Sequence, residues 1–322
     1  MVDLPRRGSR RVSGDTELKI LLNPAGSADG DADFLARCFG TRWTQAMYRW
    51  YMQRPFLGEP PDRLILVDAE RVVAGCGLAY RLLRTPDALV HRVSVVVAAA
   101  TLPDERGRGY YARVLQAAAE RSAVRGCTAL LGFVTADNAT GRGLRRLGAT
   151  AVPSAYIVSP GIARFHENGL LRVCGAKVTP GWSESVGMRL RRAPLQASFH
   201  YPAPGDWRAQ MVDRPCPVLA LRVGTTCRAL VECVGDTDRL QWLDGDARER
   251  VAAIRAIAVH AQRRRQRFFM YSTRPDEFAA ARRLGLCVRP GFMMALAPAG
   301  RHEPTVHAWA ALSWHVQSGD RL

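Results

Sequence analysis

Thr101-Leu-Pro-Asp-Glu-Arg106-Gly107-Arg108-Gly109-Tyr110-Tyr111 is the stretch on which the reading of this chain turns. An apolar run, Val93 to Ala100, leads into it as the end of a long central strand, Val90 to Ala100, and a helical pattern, Ala112 to Ala123, leads out. A buried strand, a glycine-bearing turn and a helix N-terminus in that order make an α/β unit. In such a turn successive backbone N–H groups converge, the helix dipole favours an anion, and glycine lets a ligand approach the main chain closely. The turn therefore reads as a phosphate cradle. Two nucleotide signatures are excluded. No Lys-Ser/Thr pair follows Gly109, and the third glycine of the dinucleotide fingerprint is missing. Taken alone, the loop also reads as an ordinary strand–helix turn with Arg106 and Arg108 solvated.

The flanking sequence extends the pattern in both directions. Ala112, Leu115, Ala119 and Ser122 mark one helix face, with Val114 and Ala118 beside it, and Arg125-Gly126 stops the helix. Thr128 to Val134 is a buried strand, and Ala151 to Val158 is another. Between them runs Asn138-Ala-Thr-Gly141-Arg-Gly-Leu144-Arg145-Arg-Leu147-Gly148. Upstream, Asp31 to Phe39 and Trp43 to Gln53 read as helices. Arg63 to Asp68 and Val72 to Leu83 read as a strand pair turning at Ala69-Glu70-Arg71.

Arg106-x-x-Gly109-x-Tyr111, preceded by Thr101-x-Pro103, resembles the Arg-x-x-Gly-x-(Gly/Ala) pyrophosphate loop of the GNAT superfamily of acyl-CoA N-acyltransferases, with Tyr111 in place of the last small residue. Asn138 to Gly148 resembles the second motif of that superfamily, one residue short. Its tyrosine position, the usual proton donor to the leaving thiolate, falls on Arg145 or Leu144 depending on the anchor. The resemblance covers about residues 32–160. It implies that amides from Arg106 through Gly107, Arg108, Gly109, Tyr110, Tyr111 and Ala112 hold the CoA pyrophosphate, with Arg106 or Arg108 adding charge. It places Ala99, Ala100 and Thr101 beside the thioester, where backbone N–H stabilises the developing oxyanion. It gives Asn138 a cap, a CoA contact or both. The implied cosubstrate is acetyl-CoA or another acyl-CoA, without a metal, and the acceptor is an amine that attacks directly. A longer acyl chain, from CoA or an acyl carrier protein, is the variant donor. The base needs only to take a proton from an ammonium. His91, Ser94 and Asp137 are the candidates, and each also reads as an ordinary structural group.

The second half echoes the first. Arg145-Arg146-Leu147-Gly148 recurs 137 positions on as Arg282-Arg283-Leu284-Gly285, and the strand Leu130–Val134 falls on Arg267–Tyr271 at the same offset. Val218 to Val223 and Cys227 to Val234 repeat the strand pair. The phosphate loop is not repeated: Arg106 and Gly109 map to Leu243 and Asp246, within a segment carrying two carboxylates that would repel phosphate. The expected fold is therefore α/β (α+β), with two tandem GNAT-like domains. Each is a mixed, mostly antiparallel sheet flanked by helices, and the second is degenerate. The expected division is a basic arm over 1–17, an acyl-CoA-binding domain over 18–162, a connector over 163–205, the degenerate domain over 206–300 and a closing segment over 301–322.

Composition bounds the partners. The formal net charge is +17, from 46 Lys plus Arg against 29 Asp plus Glu, which calls for an anionic partner. CoA is one and nucleic acid is the rival, but no helix-turn-helix, RNA-recognition or zinc-finger signature is present. Eight cysteines form no Cys-x-x-Cys pair, so neither a zinc site nor a disulfide framework is indicated. Cys76 and Cys127 read as core thiols. No apolar run reaches the ~18 residues of a membrane span, and the expected location is the cytoplasm. A non-catalytic acyl-CoA-binding protein and a basic nucleic-acid binder of the same shape stand beside the enzyme reading.

Overall fold

The computed structural model describes residues 18–26, 28–40, 43–159, 171–177, 196–245, 247–298 and 302–321. The arm expected over 1–17, much of the connector 163–205 and Asp246 lie outside them. In chain order the first half runs β1 (Lys19–Leu22), α1 (Ala28–Phe39), α2 (Gln45–Met52), β2 (Asp62–Asp68), β3 (Arg71–Arg84), β4 (Val90–Thr101), α3 (Tyr110–Val124), β5 (Ala129–Thr135), α4 (Ala139–Arg146) and β6 (Thr150–Val158). The second half runs β7 (Val173–Gly175), β8 (Ser198–His200), α5 (Pro204–Met211), β9 (Val218–Val223), β10 (Cys227–Val234), β11 (Thr237–Asp244), α6 (Ala247–Arg263), β12 (Arg267–Ser272), α7 (Pro275–Arg283), β13 (Cys287–Leu296) and α8 (Glu303–Ala308).

Local chemistry sets the boundaries. Ala69 and Glu70 both take positive φ, so β2 turns into β3 in two residues. The Thr44 hydroxyl accepts from the Met47 amide at 3.2 Å and starts α2 after the expected Trp43. Gly109 sits in the left-handed region (φ 80°) as the N-cap of α3, so Tyr110 and Tyr111 are its first helical residues, two earlier than the sequence pattern indicated.

The repeats share one sheet. Its order is β1-β2-β3-β4-β5-β13-β6-β12-β11-β10-β9-β7, with β8 paired to β3. Each repeat contributes antiparallel strands and one parallel step, β4 beside β5 and β11 beside β12. The repeats then exchange their last strands. β13 lies between β5 and β6, antiparallel to both, and β6 pairs on its other side with β12. The exchange leaves neither repeat with an open strand edge at the centre of the molecule.

Strand alternation divides the core between the two faces of this sheet. Val93, Val95, Val97, Ala129 and Leu131 pack with Leu35, Tyr48, Met52, Trp207 and Met211 under α1, α2 and α5. On the opposite face Leu130 and Val134 pack with Val114, Leu115 and Ala118 of α3. Phe268 and Met270 pack there with Ile254 and Ile257 of α6. The C-terminal end of α3 is anchored by the buried Asp62, which accepts from Tyr80 Oη (2.6 Å), Arg121 Nε (2.5 Å), Arg125 Nε (3.0 Å) and Arg125 Nη2 (3.0 Å). Those donors outweigh burial and hold its carboxyl well below the usual range.

Candidate active site

The site begins where two parallel strands part. β4 and β5 pair only from Val93–Ala129 to Val95–Leu131. Beyond that point β4 continues to Thr101 against β3, and β5 continues to Thr135 against β13. The facing edges of both strands are left unpaired, which opens a wedge in the sheet. β4 carries a bulge within this reach. Its register against β3 shifts between Gly75 and Gly77, and Ala98 takes a φ of 47°. A non-glycine residue in that region is strained, and a bulge re-aims the main chain beside it. Ala99, Ala100 and Thr101 therefore lie along the wedge.

The loop from Leu102 to Gly109 caps the wedge. Pro103–Glu105 forms a 3₁₀ turn, and Gly107 (φ 87°) and Gly109 (φ 80°) both adopt left-handed conformations. Among the described residues no carbonyl or side chain accepts from the amides of Gly107 through Tyr111. Five successive N–H groups at a helix start, with no acidic residue in the first turn of α3, make an anion-binding nest. Two acidic residues precede them, but both are neutralised: Asp104 pairs with Arg71 Nη2 at 2.6 Å, and Glu105 pairs with Arg71 Nη1 at 3.0 Å and Arg108 Nη1 at 3.1 Å. The main chain fits a pyrophosphate here.

The side chains of the loop do other work than charge donation. Arg106 reaches away from the nest and donates through Nη2 to the Cys38 carbonyl at the end of α1, 2.8 Å away. It fastens the loop to α1. Arg108 is exposed and already paired with Glu105. Tyr110 Oη donates to Asp68 at 2.9 Å, tying α3 to β2. Tyr111 turns inward beside Cys76, and its buried hydroxyl lies next to the Thr140 side chain without a hydrogen bond of good geometry among the described residues. Burial pushes that hydroxyl above its ordinary pKa.

The three candidate bases are scattered. His91 is at the opposite end of β4, eight residues and roughly 25 Å of strand from Ala99. Its ring packs edge-on against Trp309 with centroids 5.4 Å apart, and burial lowers its pKa. Ser94 lies in the closed part of β4, fully buried, and shares a hydrogen bond of 2.6 Å with Ser122 of α3. Neither reaches the wedge. Asp137 follows the open part of β5. The Thr135 hydroxyl donates to it at 2.7 Å and holds its carboxyl below the usual range. Asn138 caps α4, accepting from the Thr140 amide at 2.7 Å. Neither residue at the motif's tyrosine position offers a proton: Leu144 is buried in the core, and the Arg145 guanidinium lies over the Phe292 ring at 4.7 Å. Sequence reading missed Arg71, whose clip on Asp104 and Glu105 crosses from a distant strand and leaves no local pattern.

Residues 32–149 match the model of the family described as the acetyltransferase (GNAT) family. This segment is similar to the GNAT family of acetyltransferases. No curated protein matches the sequence. Among solved structures, a tandem GNAT protein from the clavulanic acid biosynthesis pathway is similar with a TM-score of 0.59 at 12% identity, over 87% of this chain and 98% of that one. A probable N-acyltransferase from Enterococcus faecalis aligns with a TM-score of 0.57 at 11% identity, over 88% of this chain and 73% of that one. A GCN5-related N-acetyltransferase from Anabaena variabilis aligns with a TM-score of 0.55 at 13% identity, over 86% of this chain and 72% of that one. At these identities the likeness is one of fold.

The second GNAT-like half has the same parting of strands and fills it with protein. β11 and β12 pair from Thr237–Arg267 to Leu240–Met270 and then separate. The C-terminal segment enters the gap. The Leu243 amide donates to Gln317 Oε1 (2.7 Å), the Tyr271 amide to Ser318 Oγ (2.7 Å), and the Val316 amide to Thr273 Oγ1 (2.9 Å). Residues 245 and 246 alone separate β11 from α6, where residues 102–109 separate β4 from α3. The expected closing segment is thus a plug for the second wedge.

Proposed function

We propose that the N-terminal half binds acetyl-CoA across the β4–β5 wedge and transfers its acetyl group to an amine. The observation that carries this reading is the run of orphan amides from Gly107 to Tyr111, set directly over the only wedge that the described protein chain leaves open. The amides take the pyrophosphate, and Gly109 keeps the approach free of a Cβ. The unpaired edge of β4 at Ala99 to Thr101 accepts the pantetheine arm as a strand would. An N–H of that edge polarises the thioester carbonyl and holds the charge that develops on its oxygen. The amine nitrogen forms the new C–N bond as the C–S bond breaks, and the proton lost from nitrogen ends on the thiol. Asp137 is the one candidate base at the open end of the strands. No residue on α4 protonates the sulfur, so that proton arrives through solvent, which the acidity of a thiol permits near neutral pH. Eight cysteines without a disulfide suit a reducing cytoplasm.

Calorimetry with acetyl-CoA on the wild type and on Gly109→Glu tests the reading. The added carboxylate projects from a left-handed position into the phosphate nest. Affinity is expected to fall at least a hundredfold with the circular-dichroism spectrum unchanged. Equal affinity in a folded variant refutes the site. Release of free thiol in the presence of an amine panel then identifies acceptors.

A further inference from the structure

A second cavity lies on the sheet surface at the junction of the repeats. It has a volume of about 730 Å³ and is lined by residues of β6, β11, β12, β13 and the C-terminal segment. Among the described residues that line it, four are arginines (Arg239, Arg267, Arg289 and Arg321) and none is a carboxylate. Only Arg267 has an acidic partner among the described residues, the exposed Asp236 at 2.8 Å. Arg321 is held among rings, its guanidinium carbon 4.8 Å from the Tyr156 centroid and 4.7 Å from that of Tyr271. Its Nε and Nη1 are buried without a hydrogen-bond partner among the described residues. A desolvated guanidinium with unmet donors is costly unless an anion completes it.

A row of packed rings links the cavity wall to the wedge. Phe133, on the open part of β5, contacts Tyr271 edge-on at 5.6 Å, and Tyr271 contacts Tyr156 at 5.2 Å. Arg289, in the cavity wall, acts electrostatically on Asp137 at the end of β5. One aromatic row thus leads from the proposed acyl-transfer site to the cationic basin, on the same face of the sheet.

We infer that this basin binds the amine acceptor and that the acceptor is a small molecule carrying a ring and at least one carboxylate or phosphate group. Arg321 and Arg289 pair with its anion, and Tyr156 and Phe269 stack on its ring. The role as acceptor site rests on the acyl-transfer reading, whereas the binding itself does not. The enclosed volume is that of a small-molecule site, not of an extended phosphate-tracking stripe.

Phenyl phosphate is the probe, titrated calorimetrically into the full-length wild type, Gly109→Glu and Arg289→Glu. Arg289 is exposed and its side chain makes no hydrogen bond or ion pair among the described residues, so its reversal is expected to spare the fold. Binding by the wild type and by Gly109→Glu, weakened at least tenfold in Arg289→Glu, supports the basin. Failure of the wild type to bind refutes it, as does binding lost in Gly109→Glu but kept in Arg289→Glu, which would place the anion on the loop. Competition by a single-stranded oligonucleotide with a steep salt dependence refutes a small-molecule ligand. Acetyl-CoA titrated into the same three proteins separates the two readings: its failure to bind the wild type, with phenyl phosphate still bound, removes the donor site and leaves the basin.

Discussion

Tyr111 shows how far one residue can be read. From sequence it stands where a small residue is usual in the loop it resembles, and it promised only a tighter or a differently lined pocket. In the structure it is the second residue of α3, and its hydroxyl is buried beside the Thr140 side chain without a hydrogen bond of good geometry. Tyr111→Phe deletes a weakly held polar atom, so the unliganded protein should keep its stability to within about 1 kcal/mol. Acetyl-CoA affinity should fall roughly tenfold, the worth of one hydrogen bond to the ligand. Paired thermal melts and calorimetry check this, and a variant that melts well below the wild type shows that the hydroxyl is bonded within the protein. Arg106 teaches the complementary lesson. Its place in the loop was legible, but its use was not. Its guanidinium goes to a carbonyl at the end of α1, 68 residues earlier, and nothing local in the chain encodes that partner.

Among elements, the strands and helices were legible because their burial is periodic, and the loop was legible because glycine spacing is a local property. The C-terminal segment was not. Its residues make side chain-to-backbone hydrogen bonds across the β11–β12 gap, and such contacts have no period. Two buried groups in it titrate in opposite senses. Burial raises Asp320 to about 6, although it accepts from Tyr201 Oη at 2.8 Å, and burial lowers His315 to about 4. A carboxyl raised in the folded state favours folding while protonated, and this contribution disappears as pH climbs from 3.8 through 6. Asp320→Asn removes that loss. The variant should match the wild type near pH 4 and exceed it by up to roughly 3 kcal/mol at pH 7. Urea unfolding at the two pH values measures the difference, and a constant offset at both refutes the assignment. The variant also exposes the histidine contribution, which rises with pH between 4 and 6.5.

On the scale of the molecule, the internal echo at 137 positions predicted two domains side by side, and the sheet joins them by exchange. An offset records which segments are alike, not which ones pair, so the exchange could not be read from it. Because β13 sits between β5 and β6, the halves should not come apart independently. Calorimetric unfolding should show one transition, and a fragment ending at residue 205 should aggregate through the bare edges of β5 and β6. Two resolved transitions, or a soluble monomeric fragment, contradict this. The same arrangement sets a timetable for synthesis. β6 ends at Val158 and β13 begins at Cys287, so a ribosome adding roughly 5–20 residues per second leaves both edges waiting for on the order of ten seconds. Through that interval the N-terminal half is complete in sequence yet missing its neighbour strand. Activity therefore arrives only when the last part of the message has been translated, and a prematurely terminated chain is an inactive, sticky product for the cell to clear.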